Sequence, residues 1–188
     1  MLTANQVLHG YTMGVFPMAH QDEDNAIYWY EPKLRGIIPL DNFNIPKSLR
    51  KTLQSGKFKF TVNESFEEVI TACAKRDETW ISEEIIDVYC RLHDAGWAYS
   101  FETRLNGKLV GGLYGVAMGT AFFGESMFHE VTDASKAALI YLIHWLKSNN
   151  YTLLDTQFIT DHLKQFGAIE IPQKDYLKLL AKALQNSF

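Results

Sequence analysis

The chain has 188 residues, of which 47% are hydrophobic and 13% aromatic, and its formal net charge at pH 7 is −4. This length is enough for one domain or two small ones, and the composition is typical of a soluble globular protein. The negative charge excludes bulk attraction to nucleic acid, so any contact with RNA has to be local. The sequence has no apolar run of the ~20 residues that span a bilayer, and it has no secretory signal pattern. Its two cysteines, Cys73 and Cys90, fit no metal-binding spacing and are interpreted as reduced core thiols of a cytoplasmic protein.

Short elements are predicted along the N-terminal part of the chain. A helix begins near residue 2, with Thr3 or Asn5 as its cap. Pro17 is expected to stop regular structure and to leave an aromatic-lined loop. Residues 27–30 then predict a short aromatic strand, and residues 35–40 predict a second one.

A basic stretch without Asp or Glu follows. Residues 45–54 predict a helix with Pro46 in its first turn, and residues 58–62 alternate like a half-buried strand. The cations of this stretch are Lys47, Arg50, Lys51, Lys57 and Lys59. From the residues alone, a solvated helix face followed by a strand edge is the simpler interpretation, and a phosphate-binding surface is the alternative. We place a domain boundary near residue 62.

From residue 58 onward the pattern predicts the element order β, α, α, β, β, β, α, β, α, β and then a terminal helix. Asn106-Gly107 is a strong signal for a two-residue hairpin turn. The predicted helices cover residues 66–74, 82–95, 134–147 and 161–166 and a segment from Lys174, and the last two strands cover residues 153–158 and 168–171. This order predicts an α/β (α+β) fold with an antiparallel-leaning mixed sheet and helices on both faces.

The segment from residue 109 to residue 136 combines apolar strands with repeated glycines. Gly112 and Gly115 interrupt the first strand, and glycine there indicates a bulge or a close approach by a ligand or another backbone. Glu125 follows among apolar neighbours, where a carboxylate is either exposed or buried with a partner. Spacing alone favours a core hairpin with an exposed glutamate at its tip, and the alternative is an apolar floor with one anionic anchor.

Asp155 and Gln157 lie two residues apart on a predicted strand and therefore point to the same face. Asp155 follows two leucines, so we expect it to be at least partly buried and to need a hydrogen-bond donor. A buried aspartate that holds a neighbouring loop is one interpretation. The other is a functional pair in which Asp155 orients Gln157.

Several separated segments resemble, in their order along the chain, the leucyl/phenylalanyl-tRNA–protein transferase family. These segments are GYTMGVFPM (10–18), TWI (79–81), GGLYGV (111–116), FFGESMF (122–128), ASKAAL (134–139), LLDTQF (153–158) and HLKQFGAIEIP (162–172). The resemblance runs from about residue 10 to about residue 180, which is nearly the whole chain. It implies a catalytic domain of N-acetyltransferase-like fold over residues 63–188. It also implies a small α/β domain over residues 1–62 that carries a basic, tRNA-facing stretch.

The resemblance implies aminoacyl transfer. The donor is a tRNA esterified with leucine or phenylalanine, with methionine as a further candidate. The acceptor is the α-amine of a protein that begins with arginine or lysine, and the product is marked for N-degron degradation. Because ester aminolysis runs downhill, neither a cofactor nor a metal is expected, and the six histidines show no metal-ligand spacing. We expect a cytoplasmic monomer.

The resemblance also assigns candidate site residues. Asp155 and Gln157 are central to the reaction. The amide oxygen of Gln157 accepts a hydrogen bond from the attacking amine, and it is left open whether it also accepts the proton or only positions the amine. Glu125 lies near the acceptor and can hold its cationic side chain. Candidates for the wall of the donor pocket are Leu113, Phe122, Leu139 and Leu142. Candidates for stacking on the terminal adenosine are Trp80 and Tyr89, and those for contacts with the tRNA backbone are Arg50, Lys51, Lys57 and Lys59.

Two of these positions have an open interpretation. Met18 stands where some family members carry tryptophan, so stacking at this place could pass to Tyr11 or Trp29. Leu142 stands where the best-known family pattern has phenylalanine, and we expect this to shift the balance between leucine and phenylalanine donors. For any single pocket residue, ordinary core packing is the alternative.

Two other functions are left open by the residues alone. One is an acyl-CoA-dependent small-molecule acyltransferase of the same fold, which needs a basic, glycine-rich loop before a helix to hold the pyrophosphate. Residues 128–133 precede the long helix, but they are acidic and lack glycine, which counts against this function. The other is a non-catalytic RNA-binding module on the basic stretch, and the negative net charge counts against it.

Overall fold

The computed structural model describes residues 1–185, and two sheets and seven α-helices make up this part of the chain. The strands are β1 (Phe16–His20), β2 (Ala26–Tyr30), β3 (Leu34–Ile37), β4 (Lys59–Val62), β5 (Ala98–Leu105), β6 (Lys108–Met118), β7 (Ala121–His129), β8 (Leu153–Gln157) and β9 (Ile169–Pro172). The helices are α1 (Ala4–Thr12), α2 (Lys47–Gln54), α3 (Phe66–Ala74), α4 (Glu83–Asp94), α5 (Ala134–Ser148), α6 (Asp161–Lys164) and α7 (Gln173–Gln185). The element order predicted from residue 58 onward is confirmed.

The main sheet has seven strands in the order β4-β5-β6-β7-β8-β3-β9, and β1 and β2 form a separate antiparallel ribbon. Within the main sheet the β7–β8 pair is parallel and the others are antiparallel. The parallel pairing is confined to residues 121–123 of β7 and residues 153–155 of β8. Beyond this short pairing the two strands separate, which opens the middle of the sheet.

Helices cover both faces of the sheet, as the sequence predicts. On one face, α3 and α4 pack on β5, β6 and β7, and α1 and α7 extend the same layer. On the other face, α5 packs on β5, β6 and β7, and α2 packs on α5. Apolar residues at helical spacing produce both layers: Val69, Ile70 and Cys73 of α3 are fully buried, and so are Ile143 and Leu146 of α5.

Local sequence signals explain where several elements begin and end. Thr3 caps α1 and forms a capping box with Gln6. Asn106 and Gly107 have φ angles of 50° and 80°, which the tight hairpin between β5 and β6 requires. The predicted bounds of α3 are also those of the structure.

The prediction of a loop around Pro17 is wrong. Pro17 lies inside β1, opposite Trp29 of β2. Because this ribbon has only two strands, the missing N–H of proline can face away from the partner strand without the loss of a ladder hydrogen bond. The aromatic strand predicted over residues 27–30 is confirmed as β2.

The domain boundary near residue 62 stays a prediction. Both β3 and β4 precede it in the chain, and both are strands of the seven-stranded sheet. Among residues 1–185, no helix is long and apolar enough to cross a membrane.

Candidate active site

The glycine-rich strands place Glu125 on a β-bulge. Tyr114 of β6 pairs with Ser126 of β7, but the next residue, Gly115, pairs with Gly124, so Glu125 is the extra residue. A Cβ added to Gly115 would lie 2.3 Å from the carbonyl oxygen of Phe123, so only glycine fits this close approach. The prediction of a bulge or close backbone approach is confirmed. A bulge re-aims one side chain, here the partly exposed carboxylate of Glu125.

A fully buried ion pair holds Asp155. Arg35 donates from Nε to Asp155 Oδ1 at 3.0 Å and from Nη2 to Oδ2 at 2.6 Å, and the hydroxyl of Tyr176 donates to Oδ2 at 2.7 Å. The guanidinium also lies over the rings of Phe16 and Tyr176, at 4.7 and 4.4 Å, and donates to the carbonyl of Gly14. Both side chains are at most 2% exposed, so removing one of them would leave the other as an unpaired buried charge.

The sequence predicted that Asp155 needs a donor but not that the donor is Arg35. The two residues are 120 positions apart, and β3 pairs directly with β8. The signal that was available is an arginine at the start of an otherwise apolar strand, because a cation there is paired if it is buried. Burial of the guanidinium lowers the pKa of Arg35, but Asp155 more than compensates, so its pKa lies above the ordinary value.

Gln157 is the last residue of β8, and its backbone is in the left-handed region with φ of 63°. Its N–H donates to Asp155 Oδ1 at 2.7 Å, so Asp155 holds the main chain of Gln157. A left-handed conformation is unfavourable for a side chain with a Cβ and is often found at functional sites. The Nε2 atom of Gln157 is buried and has no hydrogen-bond partner within residues 1–185.

Two tyrosines stand behind Glu125. The hydroxyl of Tyr11 donates to Glu125 Oε1, and the hydroxyls of Tyr11 and Tyr89 are 2.6 Å apart. Burial raises the pKa of Glu125 to about 8, although the hydrogen bond from Tyr11 and the nearby amide of Gln157 lower it. Near neutral pH, the carboxyl group of Glu125 therefore holds a proton, which a nearby cation can displace.

One cleft of about 790 Å³ brings most of the predicted site residues together. It is lined by residues 124–129 of β7 and the following Glu130, by the end of β8 and by the inner face of α5. The predicted residues that line it are Met18, Trp80, Leu113, Glu125, Leu139, Leu142, Asp155 and Gln157. The two carboxylates and the amide thus share one cavity with an apolar wall.

Other predicted residues lie outside the lining of this cleft. Tyr11, Tyr89 and Phe122 are at most 1% exposed and stand behind its wall. The four cations predicted to contact the tRNA backbone are all exposed: Arg50 and Lys51 lie on α2, Lys57 follows it, and Lys59 begins β4. The roles of the buried residues, of the four cations and of the residues that line the cleft all stay predictions. The sequence did not single out Lys75, Arg76, Tyr114 and Ser126 as site residues, although they also line the cleft.

Among solved structures, the crystal structure of FemX matches 80% of this chain and 64% of its own, with a TM-score of 0.53 at 12% identity. A GCN5-related glucosamine N-acetyltransferase region of a fungal multidomain β-N-acetylglucosaminidase matches 81% of this chain and 21% of its own, with a TM-score of 0.51 at 10% identity. Such low identity shows the fold alone. The fold therefore belongs to the N-acetyltransferase-like class, as the resemblance in the sequence implies.

Comparison of the amino-acid sequence identifies one family within this fold class. The family model "Leucyl/phenylalanyl-tRNA protein transferase" matches residues 37–181, and the model of that family's N-terminal domain matches residues 1–33. A protein of this name from Paramagnetospirillum magneticum is 51% identical over 99% of this chain and 91% of its own. One from Maricaulis maris is 52% identical over 96% of this chain and 86% of its own. The chain belongs to the leucyl/phenylalanyl-tRNA–protein transferase family, which confirms the resemblance found in the sequence.

Proposed function

We propose that this protein is an aminoacyltransferase that moves leucine or phenylalanine from aminoacyl-tRNA to the N-terminal arginine or lysine of acceptor proteins. The observation that carries the proposal is the single cleft lined by Asp155, Gln157 and Glu125, in a chain of this family. Such transfer creates an N-terminal residue that marks the acceptor for N-degron degradation. A substrate that is charged tRNA implies a cytoplasmic enzyme, and we propose that it acts as a monomer.

The reaction forms one bond and breaks one. The nitrogen of the acceptor α-amine attacks the carbonyl carbon of the ester, the new C–N bond forms, and the C–O bond to the 3′ oxygen of the terminal adenosine breaks. The proton that leaves the amine ends on that oxygen, so the balance closes without an oxidant, a nucleotide or a metal. The main tasks of the protein are to hold both substrates in line and to keep the attacking amine uncharged.

Asp155 and Gln157 act by positioning. The chain from Arg35 through Asp155 to the main chain of Gln157 fixes the side-chain amide at the edge of the cleft. An amide is a poor base, so its oxygen contributes orientation and a partial negative charge to the amine rather than full proton removal. The unpartnered Nε2 of Gln157 remains available to an oxygen of the substrate.

The donor side chain fits the apolar wall of the cleft. Leu113, Leu139 and Leu142 line it, and buried Phe122 supports them from behind. A difference of one methylene in such a pocket changes binding by only ~1–3 kcal/mol, so methionine is accepted along with leucine and phenylalanine. The basic stretch at Arg50, Lys51, Lys57 and Lys59, within the N-terminal domain proposed for residues 1–62, contacts the tRNA backbone.

Replacing Glu125 by glutamine is expected to raise the KM for an acceptor peptide that begins with arginine by roughly tenfold or more, because a charged hydrogen bond is lost. The KM for charged tRNA should change little. Steady-state transfer with each substrate varied in turn measures both values. Equal losses for donor and acceptor would contradict the assignment of Glu125 to the acceptor.

Glu125 is also expected to make stability depend on pH. Its pKa is raised from 4.5 to about 8 in the folded protein, so between these values the folded state keeps a proton that the unfolded state has released. The free energy of unfolding therefore falls as pH rises through this range, by at most about 1.4 kcal/mol per pH unit. Because Glu125 is partly exposed to the cleft, we expect a shallower slope than this maximum.

Urea unfolding of the wild type and of the Glu125→Gln variant at several pH values tests this dependence. The variant has no proton to release at this position, so its stability relative to the wild type should increase from about pH 5 to about pH 8 and then level off. A difference that stays constant over this range would contradict the raised pKa.

Transfer of labelled leucine from charged tRNA to a peptide that begins with arginine, without ATP or added metal, tests the proposed function directly. Matched peptides that begin with glycine should receive no label. Activity with acetyl-CoA in place of charged tRNA would instead favour an acyl-CoA-dependent enzyme.

A further inference from the structure

Two cations at the mouth of the cleft have no acidic partner. Lys75 and Arg76 follow directly after α3, both are exposed, and both line the cleft. No salt bridge joins either of them to a carboxylate in the part of the chain that the structure describes. Arg35, by contrast, is buried and forms a salt bridge with Asp155, so it is not available to a ligand. Lys75 and Arg76 are therefore available to an anionic group of a ligand.

Arg76 is held in place by the opposite wall. Its Nη2 donates to the carbonyl oxygen of Met127 on β7, a residue that also lines the cleft. A guanidinium has five N–H donors in a planar fork, and within residues 1–185 only this one bond uses them. The remaining donors fit two oxygens of a phosphate, which arginine binds in a bidentate manner.

An aromatic ring and two hydroxyls without hydrogen-bond partners in the described part of the chain line the same cleft as these cations. Trp80 lines the same cleft, and its carbonyl accepts a hydrogen bond from the N–H of Ala19 at 3.1 Å, which fixes this loop against β1. Tyr114 and Ser126 are paired across β6 and β7, and their hydroxyls are buried and lack partners among the described residues. Buried polar groups without partners are uncommon, and here they line a binding cleft.

A ring, free hydroxyls and two unpaired cations together match the parts of a nucleotide: base, ribose and phosphate. Acidic residues limit where the phosphate can lie. Glu125 and Glu130 line the β7 side of the cleft, whereas Asp77 and Glu78 lie in the loop after Arg76 and do not line it. A phosphate therefore has to lie on the α3 side of the mouth.

We propose that Lys75 and Arg76 bind the phosphodiester that precedes the terminal adenosine of the donor tRNA. This inference rests on the proposed function, since it places the donor's last nucleotide in the cleft. Lys75 and Arg76 are positioning residues: they fix the adenosine from its 5′ side while its aminoacyl ester reaches Gln157. Their contribution is separate from that of the basic stretch on α2, which meets the body of the tRNA.

The test compares a probe with this phosphate and a probe without it. The equilibrium affinities of an uncharged CCA trinucleotide and of adenosine are measured by quenching of tryptophan fluorescence, for the wild type and for a Lys75→Gln/Arg76→Gln variant. We expect the variant to bind the trinucleotide roughly 10- to 100-fold more weakly and to bind adenosine as the wild type does. The salt dependence of trinucleotide binding should also become less steep.

Lys33→Gln is the matched control, because it removes one exposed positive charge outside the cleft. It should leave the affinities of both probes unchanged. The inference is overturned if the double variant binds the trinucleotide as tightly as the wild type, or if it loses equal affinity for both probes. A wild-type protein that binds the trinucleotide but transfers no leucine would refute the proposed function and leave this phosphate site standing.

Discussion

Replacing Arg35 by methionine is expected to lower the free energy of unfolding by about 3–5 kcal/mol, because it leaves the Asp155 carboxylate buried without its counter-charge. Asp155 would keep only the hydroxyl of Tyr176 and the N–H of Gln157 as donors. The cation–π contacts with Phe16 and Tyr176 would also be lost. Urea unfolding monitored by tryptophan fluorescence measures the change.

The exposed pair of Arg91 and Asp87 on α4 provides the control. Its atoms are 2.8 Å apart, much like those of the buried pair, but both side chains are more than half exposed. Arg91→Met should therefore cost less than about 0.5 kcal/mol. If Arg35→Met cost no more than Arg91→Met, the buried pair would not be the structural centre that its geometry indicates.

Substitutions at Gln157 are expected to separate the effect on activity from the effect on stability. Removing the amide, by either glycine or alanine, should lower kcat on the order of 100-fold, because the attacking amine loses the group that orients it. The left-handed backbone of this residue favours glycine. The glycine variant should therefore be about 1 kcal/mol more stable than the alanine variant, after allowance for the greater entropy of unfolded glycine.

Gln157→Asn separates the two effects, because asparagine tolerates the left-handed region but carries a shorter amide. We expect it to be as stable as the glycine variant and still impaired in kcat. Single-turnover transfer with saturating donor, together with urea unfolding, gives both quantities. Full activity in the glycine variant would show that the amide of Gln157 has no part in the reaction.

Much of the fold could be predicted because local signals agree with the tertiary structure. The apolar periodicity of residues 66–74 is that of an isolated amphipathic helix, and α3 forms over those residues. Asn106 and Gly107 specify their hairpin through backbone conformation alone, without help from distant residues. Both predictions depend only on neighbours in the chain.

The sequence-based predictions are wrong or incomplete where residues far apart in the chain determine the local structure. Pro17 was predicted to end regular structure, but the strand partner that accommodates it, Trp29, is set by the ribbon. The pairing of Arg35 with Asp155 depends on β3 lying beside β8, and no local pattern contains this order.

In the candidate site, too, local spacing predicts some features, whereas others depend on contacts with distant residues. Spacing predicted that Asp155 and Gln157 share a face, and both line the cleft. Spacing alone favoured an exposed tip for Glu125, but this depended on the register of β6 and β7. The bulge shifts that register by one residue and directs Glu125 into the cleft. The burial of Tyr11 and Tyr89 behind Glu125 likewise follows from how α1 packs on α4.

Because β3 lies between β8 and β9, Arg35 is synthesised well before the strands that it packs against. Arg35 leaves the ribosome 120 residues ahead of Asp155, a lead of roughly 6–24 s at the usual rates of translation. During that interval the arginine has neither its carboxylate nor its neighbouring strands, and Tyr176 follows later still. A nascent chain that has not yet reached residue 176 therefore holds an incomplete candidate site, in which Asp155 still lacks the hydroxyl of Tyr176.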